Sequence, residues 1–78
     1  MKTTLDRMTT GQRARVEAVG GDDGIVQRLM EMGLFDGEEI DVLGFAPLGD
    51  PMETLLRDYR LSLRRLEASK VHVSLLPA

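Results

Sequence analysis

One histidine, His72, and no cysteine bound the covalent chemistry open to this chain. A nucleophile acts only when it is held against a base, and such a pair would need a surface serine such as Ser74 or Ser62. Ser74 lies two residues from His72 on one extended run, so the two side chains share a face without one activating the other. His72 reads as a solvated strand residue. No catalytic residue is assigned, and the chain is expected not to be an enzyme.

Metal and phosphate chemistry fare no better. Asp36, Glu38, Glu39 and Asp41 form an acidic run that would attract a hard divalent cation, yet the run lacks calcium-loop spacing and its alternate members point to opposite faces. A solvated turn is the expectation. The five methionines suggest a soft-metal site, but Met30 and Met32 belong to a helix and Met8 and Met52 to segments that must dock, so gap-filling accounts for them. Gly20, Gly21 and Gly24 precede a helix as in phosphate loops. No Lys-Ser/Thr follows, and Asp22 and Asp23 stand where a phosphate would sit. No metal ligand or cofactor is assigned.

The chemistry-bearing residues thus have to be read as surface, and composition says what that surface meets. Ten basic against 13 acidic residues give a net charge of −3, which favours solubility and offers no general attraction for phosphate backbones. Phe35, Phe45 and Tyr59 are too few and too scattered to stack single-stranded bases. Nucleic acid is not an expected partner. The start, MKTTLDRMTTG, holds no apolar run of signal length, and nothing approaches the roughly 20 apolar residues that span a bilayer. A cytoplasmic protein without membrane insertion is expected, and the lack of cysteine suits a reducing compartment. Seventy-eight residues make one domain with a thin core.

The elements follow from periodicity. Residues 22–40 carry the clearest signal: Ile25, Val26, Leu29 and Met30 form an apolar stripe at helical spacing. Asp22 or Asp23 is placed to cap the first turn, and Gly33 with Leu34 to close the last one by folding Leu34 onto Leu29. Around this short helix the pattern alternates with period two. Ala14, Val16 and Ala18 face inward on a strand over residues 13–19, and Ile40 and Val42 on one over 38–45 that carries a bulge near Gly44. Residues 46–51, with two prolines, are a loop. Residues 52–57 form a strand whose alternation Leu55 and Leu56 blur, Asp58 makes the turn, and Tyr59, Leu61 and Leu63 face inward on the hairpin's second arm. One helical turn over 66–69 precedes a last strand with Val71, Val73 and Leu75 inward, and Leu5 and Met8 dock the N-terminal arm. The fold expected is mainly β: a small, partly open SH3-like barrel of about five antiparallel strands, with one short α-helix inserted between strands 1 and 2.

A set of motifs resembles the FeoA family over nearly the whole chain. They are G-x-x-A-x-V over residues 11–16, R-L-M-E-M-G-L over 28–34, G-x-x-I-x-V over 37–42, P-x-G-D-P over 47–51, Y-R-L-S-L-R over 59–64, then Glu67-Ala68 and V-x-V over 71–73. The resemblance implies a small cytosolic protein of bacterial ferrous-iron uptake. It implies as partner the FeoB-type ferrous iron transporter, through its cytosolic GTPase domain or its membrane portion. One departure stands out: Asp58 takes the hairpin-turn position where the family usually has glycine. A relative of the SH3-like domain of iron-dependent transcriptional regulators is an alternative, as is a direct divalent-metal sensor using His72 and nearby carboxylates.

What remains is a surface for a macromolecule. Pro47, Leu48, Met52, Leu55 and Leu56 exceed what a thin core can take up, and Leu34 and Phe35 at the helix end add to the excess. These seven, with Arg57 and Arg60, are the expected partner-binding residues. The apolar members equally suit sealing of the barrel mouth or a homo-oligomer contact. Arg57, Arg60, Arg64 and Arg65 form a basic strip that would steer an acidic surface, or simply a solvated hairpin face.

Overall fold

Period-two alternation builds most of the molecule. The computed structural model, which describes residues 1–21 and 23–77, places strands β1 (Lys2–Thr4), β2 (Arg13–Val19), β3 (Glu39–Phe45), β4 (Met52–Leu56), β5 (Tyr59–Leu63) and β6 (Val71–Leu75) in one antiparallel sheet of order β1-β6-β2-β3-β4-β5. Helix α1 (Asp23–Glu31) links β2 to β3, a 3-10 turn (Leu5–Arg7) follows β1, and a single helical turn, α2 (Arg65–Ala68), joins β5 to β6. Among the described residues no ladder joins β1 to β5, so the sheet curls without closing.

The strand count is six, against the about five expected. Lys2, Thr3 and Thr4 pair with Ser74, Val73 and His72. This strand carries no apolar alternation and is defined by a backbone ladder to the far end of the chain.

One core fills the inside of the curl. Ala14 and Val16 of β2, Ile40 and Val42 of β3, Met52 and Leu56 of β4, Leu63 of β5, and Val71 and Val73 of β6 are all buried. Leu5, Met8 and Ala68 join the same core. Two bulges modulate the alternation. The register shifts between Val42 and Gly44, so Leu43 is left over and exposed, as its out-of-phase position suggested. A second shift falls between Val16 and Ala18 and turns Ala18 outward, against the expectation that it faced the core.

Helix α1 docks on this core through Leu29, fully buried, while Ile25 packs at its margin. Burying a leucine is worth about 1.5–3 kcal/mol. Met30, expected on the apolar stripe, is exposed. The helix stops as its sequence requires: Gly33 takes φ +100°, its N–H donates to Met30 O at 2.9 Å, and the Leu34 N–H donates to Leu29 O at 3.2 Å. This is the Schellman pattern. The capping role proposed for Asp22 and the Asp23 side chain lies outside the described residues.

The β4–β5 hairpin corrects a detail. Positive φ falls on Arg57, at +58°, rather than on Asp58. Leu56 pairs with Tyr59, so Arg57 and Asp58 form a two-residue turn, a class that demands positive φ at its first position.

Candidate docking surface

The nine residues expected at a partner surface divide sharply. Leu34, Met52 and Leu56 have no exposure at all, so they belong to the core and leave the list of surface residues. On β4, the inward positions are Met52, Thr54 and Leu56. Thr54 is accommodated because its hydroxyl donates to Leu61 O at 2.7 Å. Leu55 points away and is half-buried, and Phe35, Pro47, Leu48, Arg57 and Arg60 are exposed.

Leu48 stands out among them, being 97% exposed, at the tip of a loop that is not loose. Within the loop, Gly49 N–H donates to Ala46 O at 2.7 Å and Ala46 N–H to Pro51 O at 2.9 Å. Arg65 then clamps it from α2. Its backbone N–H donates to Asp50 Oδ1 at 3.0 Å, Nη1 to Gly49 O at 3.3 Å, and Nη2 to Asp6 O at 3.0 Å. The guanidinium also lies 5.3 Å from the centroid of the Phe45 ring. One arginine therefore ties together the loop, α2 and the end of the N-terminal arm. Next to it in sequence, Leu66 is 66% exposed. A leucine held out on a stiffened loop loses little entropy when it docks, which makes it a suitable anchor for a protein partner.

The cations of the supposed basic strip have different fates. Arg57 is held by Glu38 through Nε at 3.2 Å and through Nη2, and Glu38 raises its pKa by hydrogen bonding and by charge. Arg65 is used in the clamp. Arg60 and Arg64 are exposed, and neither has an acidic partner among the described residues. Three members of the acidic run, Glu38, Glu39 and Asp41, are likewise engaged. Asp41 accepts from Arg13 at 2.6 and 3.3 Å and raises its pKa, while Glu39 faces Arg15 at 3.6 Å. Both pairs are direct cross-strand neighbours on β2 and β3.

Glu67 completes the polar structure. One carboxylate oxygen accepts from Arg64 N–H at 3.0 Å, capping α2, and the other lies 3.4 Å from Arg28 Nε on α1.

A surface the sequence reading did not single out lies at the far end of β6. A groove of about 730 Å³ runs between Leu43, Val42, Leu75, Leu76 and Pro77, with the Arg13–Asp41 pair on its rim. The out-of-phase Leu43 and the run Leu75-Leu76-Pro77 were the available signals. His72 is exposed and shares a shallow depression with Lys2, Arg7 and Glu17. Among the described residues no three His, Asp or Glu side chains gather as a metal-ligand set, and no helix is long and apolar enough to cross a membrane.

Comparison with known proteins gives this geometry its context. A family model described as FeoA domain matches residues 3–75. The Fe(2+) transport protein A/Fe(2+) transporter FeoB fusion protein of Porphyromonas gingivalis is 39% identical over 72 residues, covering 92% of this chain. The chain spans only 8% of that relative's length. Among solved structures, a FeoA-like protein from Clostridium acetobutylicum superimposes with TM-score 0.92 at 32% identity, covering 99% of this chain and 90% of the other. FeoA of Stenotrophomonas maltophilia, described as an SH3 domain protein complexed with zinc, gives TM-score 0.80 at 33% identity over 92% and 89% of the two chains. A manganese-dependent transcriptional repressor shares the fold at TM-score 0.88, but at 14% identity and over 41% of its length.

Proposed function

Since the chain belongs to the FeoA family, with the SH3-like fold of its relatives, we propose that it is a non-enzymatic, cytoplasmic accessory protein of bacterial ferrous-iron uptake. Its partner is the FeoB-type transporter, and its role is to support or regulate that transporter by direct contact. Iron passes through the partner.

The observation that carries this reading is the fused relative, in which a homologous segment and a FeoB transporter share one polypeptide. Covalent linkage holds two modules at an effective concentration in the millimolar range for short linkers. Such a linkage is useful when the modules act on one another. Contact between two such modules runs through their surfaces, and Leu48, Pro47, Phe35 and Leu55 with Arg60 are the exposed or half-exposed groups available here.

The experiment is co-purification of the full chain with the transporter's cytosolic portion, without nucleotide, with GDP and with a GTP analogue. A stoichiometric complex in at least one state is expected. Absence of a complex in all three would overturn the proposal.

The regulator-type and metal-sensing alternatives gain less. Likeness to the repressor is a likeness of fold alone. Zinc in the Stenotrophomonas structure belongs to that protein, and calorimetry with Fe(II) or Zn(II) at micromolar concentration tests direct binding here.

A further inference from the structure

The sheet does not close, and its two edges differ in kind. β1 is three residues long and ends in the 3-10 turn. β5 has five residues, no bulge and no proline, and among the described residues β4 is its one neighbour in the sheet. An edge without bulge or proline leaves its outward backbone groups open to another strand, with its charged side chains deciding which strand is tolerated.

The hairpin geometry says which groups are on offer. Leu56 and Tyr59 flank a two-residue turn, so they form a hydrogen-bonded pair, and pair type alternates along an antiparallel ladder. Tyr59, Leu61 and Leu63 therefore spend their backbone groups on β4, and Thr54 adds its hydroxyl to Leu61 O. Arg60 and Ser62 turn their N–H and C=O outward. Among the described residues no backbone group from another element reaches them.

The side chains at this edge carry a charge signature. Arg64 continues the extended run, with φ −68° and ψ 146°, so Arg60, Ser62 and Arg64 alternate onto one outer face. The two arginines are about 13 Å apart at strand spacing, and among the described residues neither is in an ion pair; Glu53, across the ladder between them on β4, accepts from Ser62 Oγ at 2.9 Å. A second copy of the chain is a poor occupant, because antiparallel pairing centred on Ser62 would set Arg60 directly against Arg64, and like charges so placed are destabilising. An acidic strand is complementary. The Arg64 end also adjoins the clamped loop, since the Arg65 N–H donates to Asp50.

We propose that β5 receives an additional strand, an extended acidic segment of the protein partner whose carboxylates, four residues apart, meet Arg60 and Arg64. This rests on the reading of the chain as a module that docks the transporter, and it names the chemistry of the docked segment. Backbone bonds to Arg60 and Ser62 supply the pairing, and the arginines choose the partner.

The test uses the full chain and a capped peptide, Val-Glu-Val-Thr-Val-Glu-Val, followed by amide-resolved NMR. Amide exchange at Arg60 and Ser62 is expected to slow about tenfold or more at saturation, while the peptide with both Glu changed to Lys has no effect. Ser62→Pro removes an outward donor that the β4 ladder does not use and should abolish the protection. The double reversal Arg60→Glu/Arg64→Glu leaves the backbone untouched and should do the same. Equal protection by the Lys peptide, or none by the Glu peptide, would overturn the assignment. A parallel titration uses the transporter's cytosolic portion. If wild-type chain binds it and the double reversal weakens binding by less than about threefold, the edge assignment falls while the partner reading stands. If the Glu peptide protects the edge but the transporter portion does not bind, the partner reading falls and the acidic-strand site stands.

Discussion

Replacing Gly33 by alanine should cost far more than an exposed turn substitution normally does, and part of the reason lies 26 residues away, at Tyr59. The position has φ +100°, and a Cβ built there would lie 2.6 Å from Tyr59 Oη. That hydroxyl donates to Met32 O, fastening the end of α1 to β5. A left-handed alanine costs about 1–2 kcal/mol. The tyrosine must also retreat by several tenths of an ångström, losing a hydrogen bond worth about 0.5–1.5 kcal/mol. Together Gly33→Ala is expected to lose about 2–3 kcal/mol, or roughly 10–20 °C in thermal midpoint for a domain this small. Tyr59→Phe alone should lose about 1 kcal/mol. In the double variant the hydroxyl is already gone, so the total should match Gly33→Ala alone, a coupling of about 1 kcal/mol between the sites. Urea unfolding followed by circular dichroism measures all four corners. Strict additivity, or a loss below about 1 kcal/mol for Gly33→Ala, would refute the close approach of Tyr59 to the helix end.

Three further outcomes can be read in the same assay. Because Arg57, not Asp58, holds positive φ, Arg57→Gly should be more stable than Arg57→Ala by about 0.5–1 kcal/mol, the reverse of the usual order, whereas Asp58→Gly should gain nothing over Asp58→Ala. Arg65→Ala removes two side-chain donors and the Phe45 contact and should cost about 1–2 kcal/mol, while Arg64→Ala stays within about 0.5 kcal/mol. Thr54→Val keeps the buried shape but loses the bond to Leu61 O, at about 0.5–1.5 kcal/mol; a neutral result would mean the hydroxyl is not needed there.

Much of the fold was legible because local signals and tertiary contacts agree. The helix stripe, the Gly33 cap and the alternation of β2, β3 and β6 each depend on neighbours a few residues apart. What escaped depends on distant ones. Nothing in Lys2-Thr3-Thr4 announces a strand, since β1 exists by its ladder to residues 72–74. Leu55 and Leu56 cannot be ranked from sequence, as strand phase decides which of them is core. Leu34 was read as surplus although its own cap folds it inward, the cost of judging core capacity from chain length. Arg65 looked like one cation in a strip, whereas its acceptors are carbonyls 16 and 59 residues away. Of the proposed docking residues only exposure was legible: Leu48 and Arg60 are exposed, but the stiffening of the loop by Arg65, the exposed Leu66 and the groove at Leu43 follow from bulges and clamps that no periodicity encodes.

The central claim is that this chain works by docking on a ferrous-iron transporter rather than by chemistry of its own. The most direct measurement is uptake of labelled ferrous iron by cells that carry the transporter and, in place of the wild-type chain, Leu48→Asp. At 97% exposure this substitution should leave stability within about 0.5 kcal/mol, so folded protein at normal abundance is expected. Uptake should fall to the level of cells lacking the chain altogether. Wild-type uptake in cells lacking the chain altogether would contradict the account.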